Sequence, residues 1–205
     1  MIPATLLMTP TSPYARKCLL VAMEKGKDLA VSVEPPHAQG SRIGALNPLV
    51  KVPTLLLSDG TAVYDSRVIV DVLEMVWPEP ALIPAQGRER MEVLRWQALG
   101  DGLADAMVLV MMDRIKPEER RDLGWQERQI VKIDAALALI NQEVRPGQWL
   151  VGERLTLAEL AVISGIGYVQ LRGAELLANR WPNLHAWSAW LHERPSVAAT
   201  VPVAM

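Results

Sequence analysis

The stretch WPEPALIPAQG, Trp77–Gly87, holds three prolines and a glycine and separates two unlike parts of the chain. Before it, strand-like and helix-like segments alternate. After it, every patterned segment is helical. Proline removes a backbone donor, fixes φ and pushes the preceding residue away from helical geometry, so neither a helix nor a central strand is expected to run through. Residues 78–87 are therefore read as a linker between a first domain, residues 1–77, and an all-helical domain, residues 88–205. A chain of 205 residues is comfortable for two such units.

Within the first part, ATLLMT (Ala4–Thr9) suits a short buried strand, and a helix follows from Pro13 to about Lys25, where Gly26 ends it. AVSVE (Ala30–Glu34) alternates, with Val31 and Val33 on one face and Ser32 and Glu34 on the other. PPHAQGSRIGALNPLVK is rich in turn formers, with one helical turn expected at Ser41–Leu46. TLLL, SDG and TAVY then make a hairpin about Asp59-Gly60. Val68, Ile69, Val72, Leu73 and Val76 recur along one stripe of a following helix. The fold class is α/β plus all-α: β-α-β-β-β-α with a mixed sheet, parallel from the βα unit and antiparallel from the hairpin, then a helical bundle.

In the second part, Met91, Leu94, Ala98, Leu103, Met107 and Val110 share a helical face across Arg88–Ile115. Pro117 is read as opening the next helix, broken near Gly124 and stopped after Val144 by RPGQ. In LTLAELAVISGIGYVQL, Thr156 and Glu159 have the spacing of a capping box. The helix beyond is apolar nearly all round and belongs in the middle of its domain. Gly165 and Gly167 each weaken a helix by about 1 kcal/mol relative to Ala, which makes sense where a neighbouring helix packs closely. A last helix, Asn183–Glu193, carries Trp187 and Trp190.

A net charge of −2 gives no basic surplus for nucleic acid, and no block of like charge suggests a membrane-surface helix. One cysteine, Cys18, excludes an internal disulfide framework; it is read as a buried structural thiol. The longest apolar run, AMVLVMM, is far shorter than the ~20 residues of a spanning helix. The start, MIPATLLMTP, lacks a basic region and a small-residue cleavage site, so a cytoplasmic location is expected.

Three spots carry candidate chemistry. Ser12-Pro13 is explained by helix capping alone, since Ser is a preferred N-cap and Pro suits the first helical position. The same arrangement also offers a positive helix end to an anion such as a thiolate. Val52-Pro53 opens the hairpin's first strand, where a proline is tolerated. If that bond is cis, it turns the Val52 backbone N–H and C=O outward to pair with an extended peptide. Asp65-Ser66 opens the next helix. Either residue suits a cap, and together a carboxylate and a hydroxyl at a positive helix end suit a zwitterion. Arg16, Lys17 and Arg67 are read as solvated, and Asp101 and Asp105 as exposed charges. His185 and His192 suggest no third ligand, and no metal site is expected.

Taken in order, SPYARK, NPLVKVPTL, YDSRVI, the proline-rich break, LTLAELAV and WPNLHAW…RPSV resemble the cytosolic glutathione S-transferase superfamily along essentially the whole chain. The tone of SPYARK and RWQALGDGLADA is most similar to its bacterial serine-type branch. The resemblance implies a thioredoxin-like first domain that binds glutathione and a helical domain that shapes the site for a small electrophile. It implies that Val52, held by cis-Pro53, pairs with the cysteinyl backbone and that Asp65 and Ser66 hold the γ-glutamyl end. Lys51 lies near the glycyl carboxylate, and Ser12 points its hydroxyl at the sulfur, with Thr11 and Tyr14 as other donors. It implies a homodimer, to which an acidic residue equivalent to Asp101 or Asp105 contributes across subunits. Glutathione enters as co-substrate, with no metal or bound organic cofactor. Many members have Glu or Gln where this chain has Asp65, and Asp where it has Glu159. The other activities considered are a non-catalytic relative acting through protein contacts, and a glutathione-dependent isomerase or dehalogenase.

Overall fold

The computed structural model describes residues 2–178 and 180–203. Its sheet has four strands, β1 (Pro3–Met8), β2 (Val31–Val33), β3 (Thr54–Leu57) and β4 (Ala62–Val63), in the order β2-β1-β3-β4. β1 pairs in parallel with β2, Leu6 opposite Val31. It pairs antiparallel with β3, Leu7 opposite Thr54, and β3 pairs antiparallel with β4, Leu55 opposite Val63. The parallel pair needs a crossover, which α1 (Pro13–Glu24) supplies. A single turn, α2 (Ile43–Leu46), falls within the expected segment, and α3 (Ser66–Val76) follows the hairpin. Leu6, Leu55, Leu20, Val21, Ile69 and Leu73 are fully buried between sheet and helices. The alternation expected of β2 is present, with Val31 and Val33 alike and Ser32 between them more buried. Val31 and Val33 are 46% and 55% exposed, because β2 is an edge strand with its apolar face outward.

The remainder is helical: α4 (Gly87–Arg114), α5 (Leu123–Glu143), α6 (Leu157–Arg172), α7 (Pro182–His192) and α8 (Pro195–Ala199). Pro117 opens only a 3-10 turn, Glu118–Arg120; α5 starts later because Asp122 caps it, its carboxylate accepting from Trp125 N at 2.8 Å. α6 is buried on all sides over most of its length and packs on both α4 and α1. Its capping box forms: Glu159 Oε2 accepts from Thr156 N at 2.9 Å and from Thr156 Oγ at 2.8 Å. Its other oxygen accepts from Leu150 N at 2.6 Å, so the longer Glu also ties the preceding loop to the helix. Burial raises the Glu159 pKa despite these donors.

The tight packing foreseen at Gly165 is real, and its counterpart is Gly100 on α4. A Cβ on Gly165 would lie 2.6 Å from Gly100 O, and one on Gly100 only 2.5 Å from the Ala161 carbonyl. The two backbones touch there. Gly167 instead makes room for the Arg16 guanidinium. The proline-rich stretch packs closely: Leu82 and Ile83 are buried, and Leu82 O accepts from Leu157 N at 2.9 Å. Among the described residues no helix is long and apolar enough to cross a membrane.

Candidate functional site

β1 and β4 both end where β3 begins, because each of them is antiparallel to β3. The segments leaving β1 and β4 therefore meet the segment entering β3 at one end of the sheet. This juxtaposes Ser12, Val52-Pro53 and Asp65-Ser66, which are far apart in sequence, and aims the amino ends of α1 and α3 at the same region.

Ser12 is the N-cap of α1 and is 8% exposed. Its Oγ accepts from Ala15 N at 3.2 Å, which leaves its own proton unengaged. No acidic residue occupies the first turn of α1, so the positive end of that helix is not neutralised from within. The Val52–Pro53 peptide is cis, as is Tyr64–Asp65. Asp65 caps α3, its carboxylate accepting from Arg67 N at 2.9 Å, and it remains exposed. Ser66 is 4% exposed at the first position of that helix. Lys51 is exposed, while its backbone carbonyl is held from two sides.

Those holders were not foreseen. Asn47, 1% exposed, donates from Nδ2 to Lys51 O at 3.0 Å and to Thr54 Oγ at 3.3 Å, and Thr54 Oγ donates to Lys51 O at 3.1 Å. Asn47 Oδ1 accepts from Leu49 N at 3.0 Å. The side chain thus shapes the whole turn before Pro53. In sequence it reads as one more turn former in ALNPLVK; only the structure shows it three residues before the left-handed Val50 (φ 51°), in a loop that needs bracing.

Several charges expected in water are buried. Lys17 is fully buried, and its Nζ lies 2.6 and 2.7 Å from the two Asp101 oxygens. Asp101 also meets Arg67 Nε at 3.4 Å. One α4 carboxylate therefore bridges α1 and α3, the two helices whose amino ends form the site. Within the chain Asp101 is a positioning residue, not an exposed charge. Arg16, 3% exposed, donates to Ile163 O at 3.0 Å, Val197 O at 3.2 Å and Thr200 Oγ at 3.3 Å. Burial lowers its pKa to about 10. It fastens α1 to α6 and α8.

Tyr14 donates its hydroxyl proton to Asp105, on the exposed side of α4. Burial, and then that hydrogen bond, push its pKa strongly upward, so Tyr14 stays neutral with its only proton engaged. The Tyr14 proton is thus held by Asp105, whereas that of Ser12 is not engaged. Cys18 is fully buried, 3.8 Å from Ser66 O, and burial pushes its thiol up to about 12. We expect it to stay unmodified by a thiol reagent in the folded protein for hours at pH 8 and to react within minutes once guanidinium is added. Stoichiometric labelling under native conditions would contradict the burial. His185 Nε2 and His192 Nδ1, on α7, each face a backbone carbonyl, at 2.8 and 2.7 Å.

Comparison with known proteins adds three findings. The family described as glutathione S-transferase, N-terminal domain, matches residues 11–76, and that described as glutathione S-transferase, C-terminal domain, matches residues 124–189. A glutathione S-transferase of Methylobacillus flagellatus, solved with glutathione bound, is 38% identical over 97% of this chain and 99% of its own, with a TM-score of 0.92. One from Methylobacterium radiotolerans, in complex with glutathione sulfonate, is 38% identical over 98% of this chain and 95% of its own, with a TM-score of 0.91. An uncharacterised transferase-like protein of Escherichia coli, YibF, is 29% identical over 94% of this chain and 95% of its length.

Proposed function

The chain belongs to the cytosolic glutathione S-transferase superfamily, and from that premise we propose how its site works. It is a glutathione transferase that activates the thiol of glutathione for attack on an electrophilic small molecule. Residues 1–77 form the glutathione-binding domain, residues 78–87 the linker, and residues 88–205 the domain that walls the electrophile site. Two copies associate as a homodimer in the cytoplasm.

In this reading the backbone of Val52 pairs with the cysteinyl unit of glutathione. Asp65 takes the γ-glutamyl ammonium, and Ser66, with the free N–H groups of α3, takes its carboxylate. Lys51 faces the glycyl carboxylate. Ser12 donates to the sulfur, and the single observation that carries this role is its hydroxyl geometry. Oγ is oriented by accepting from Ala15 N, which leaves the proton for a ligand at the helix end. A free thiol, with pKa about 8.5, is only a few per cent ionised at pH 7. A hydrogen bond to the thiolate worth about 1.5–3 kcal/mol lowers that pKa by roughly one to two units. The sulfur then forms its bond to the electrophilic carbon, and either a leaving group departs with its electron pair or an added carbanion takes up a proton.

Calorimetric titration with glutathione tests the binding half. The native protein is expected to bind, and Ser66→Ala to bind about ten- to a hundredfold more weakly, the loss of a hydrogen bond to a charged group. Absence of binding by the native protein would overturn the reading and favour a role through protein contacts.

A further inference from the structure

A cavity of about 260 Å³ opens between α6, α7 and the stretch that follows α8. Ile166 and Leu184, both buried, give it an apolar wall together with Leu171 and Pro202. Its rim is polar: Gln170 and His185 are exposed and His192 is half-buried. None of Ser12, Lys51, Val52, Pro53, Asp65 and Ser66 lines it, so it is separate from the site described above.

Arg16 also lines this cavity, beside Gly167. A side chain at Gly167 would collide with Arg16 Nη1 and lie 3.4 Å from Pro202 Cδ, so glycine there lets the guanidinium and Pro202 close over one face of α6. Nε, Nη1 and Nη2 donate once each, to Thr200 Oγ, Ile163 O and Val197 O. A guanidinium carries five N–H groups, so one on each Nη is left without an acceptor among the described residues. All three acceptors are uncharged.

The other buried cations of the chain are matched differently. Lys17 and Lys25 have fully buried side chains, and each meets a carboxylate, Asp101 at 2.6 Å and Glu74 at 2.7 Å. Arg16 is 3% exposed and has no ion pair among the described residues. Fastening helices accounts for three of its donors. It does not account for a whole positive charge kept from water, which is unfavourable without an anion. The cavity is where an anion can enter, and no Asp or Glu lines it to repel one.

We propose that this cavity binds a compact apolar carboxylic acid, its carboxylate on the Arg16 guanidinium and its hydrocarbon body against Ile166, Leu171, Leu184 and Pro202. The guanidinium fork suits the two oxygens of a carboxylate. An apolar cavity of about 150 Å³ holds benzene, so the larger volume here takes a body of about two rings. This second site does not depend on the transferase reading.

Calorimetry with 1-naphthoate and 1-naphthamide, matched in size and differing in charge, tests it. The native protein is expected to bind the acid one to one, about ten- to a hundredfold more tightly than the amide. S-hexylglutathione, whose alkyl chain extends from the sulfur toward the electrophile site, should not displace it. Arg16→Met should bring the acid-to-amide ratio close to one. Because Arg16 also ties helices together, Ser188→Phe serves as a second variant, at a half-buried lining position of α7. Its ring should fill the space and weaken both probes about tenfold or more, with glutathione affinity unchanged. No binding of the acid, equal affinity for the amide, displacement by S-hexylglutathione, a ratio unchanged in Arg16→Met, or native affinity in Ser188→Phe each overturns the proposal. If the protein binds no glutathione derivative, the transferase reading falls, and naphthoate binding in Ser188→Phe still decides this site.

Discussion

Asp101→Asn is expected to destabilise the protein by about 3–5 kcal/mol, the usual consequence of leaving a buried charge without its partner. Lys17 is fully buried and its ammonium meets both oxygens of Asp101, so the variant leaves that cation facing a neutral amide out of reach of water. In a chain of this size each kcal/mol lowers the melting temperature by roughly 2–4 °C, so a fall of about 6–20 °C should be seen. The double variant Lys17→Met with Asp101→Leu separates the charge effect from packing. Replacing both ions by apolar groups of similar volume often restores stability, so the double variant is expected to melt closer to the native protein than Asp101→Asn does. Denaturant unfolding that found Asp101→Asn within 1 kcal/mol of the native protein would contradict the structure's account of this pair. The position matters beyond stability, because Asp101 also meets Arg67 and so links the helices that present Ser12 and Ser66.

The second large effect concerns chemistry. Ser12→Ala is expected to lower kcat/KM for conjugation about ten- to a hundredfold near pH 6.5, with glutathione affinity changed no more than a few-fold. The deficit should depend on pH in a definite direction. The site depresses the thiol pKa, so its advantage is full at low pH and fades as pH rises past the ordinary value of about 8.5, where thiols ionise unaided. Rates of native and variant enzyme should therefore converge toward pH 9. Loss of the N-cap adds a stability penalty of about 1 kcal/mol, too small to unfold the chain. A variant with the native rate and an unshifted profile would transfer the donor role to Thr11, since the Tyr14 proton is engaged by Asp105.

The elements were legible where local pattern decides them. The strand-helix-strand opening, the Asp59-Gly60 hairpin, the Thr156–Glu159 box and the buried central helix all follow from periodicity and capping. The charged residues of α1 were not. Helical period assigns Arg16 and Lys17 to solvent, because nothing nearby in sequence compensates them; the acid that does so lies 84 positions along the chain, and the carbonyls around Arg16 lie further still. Gly100 was hidden for the same reason, since only its partner Gly165 sits in a segment apolar enough to imply contact. Val31 and Val33 share a face as their alternation requires, but alternation alone does not say that this face is the exposed one. The meeting of Ser12, Pro53 and Asp65 depends on β1 and β4 ending where β3 starts, a relation that spacing alone does not contain. Family resemblance supplied it before the register did.

Ionisation of a bound thiol through Ser12 is open to direct measurement. The direct measurement is the thiolate absorbance of the glutathione complex as a function of pH, for the native protein and for Ser12→Ala. The native complex is expected to titrate with a midpoint one to two units below that of free glutathione, moved back toward the free value in the variant. A native complex that titrates with the midpoint of free glutathione would contradict it.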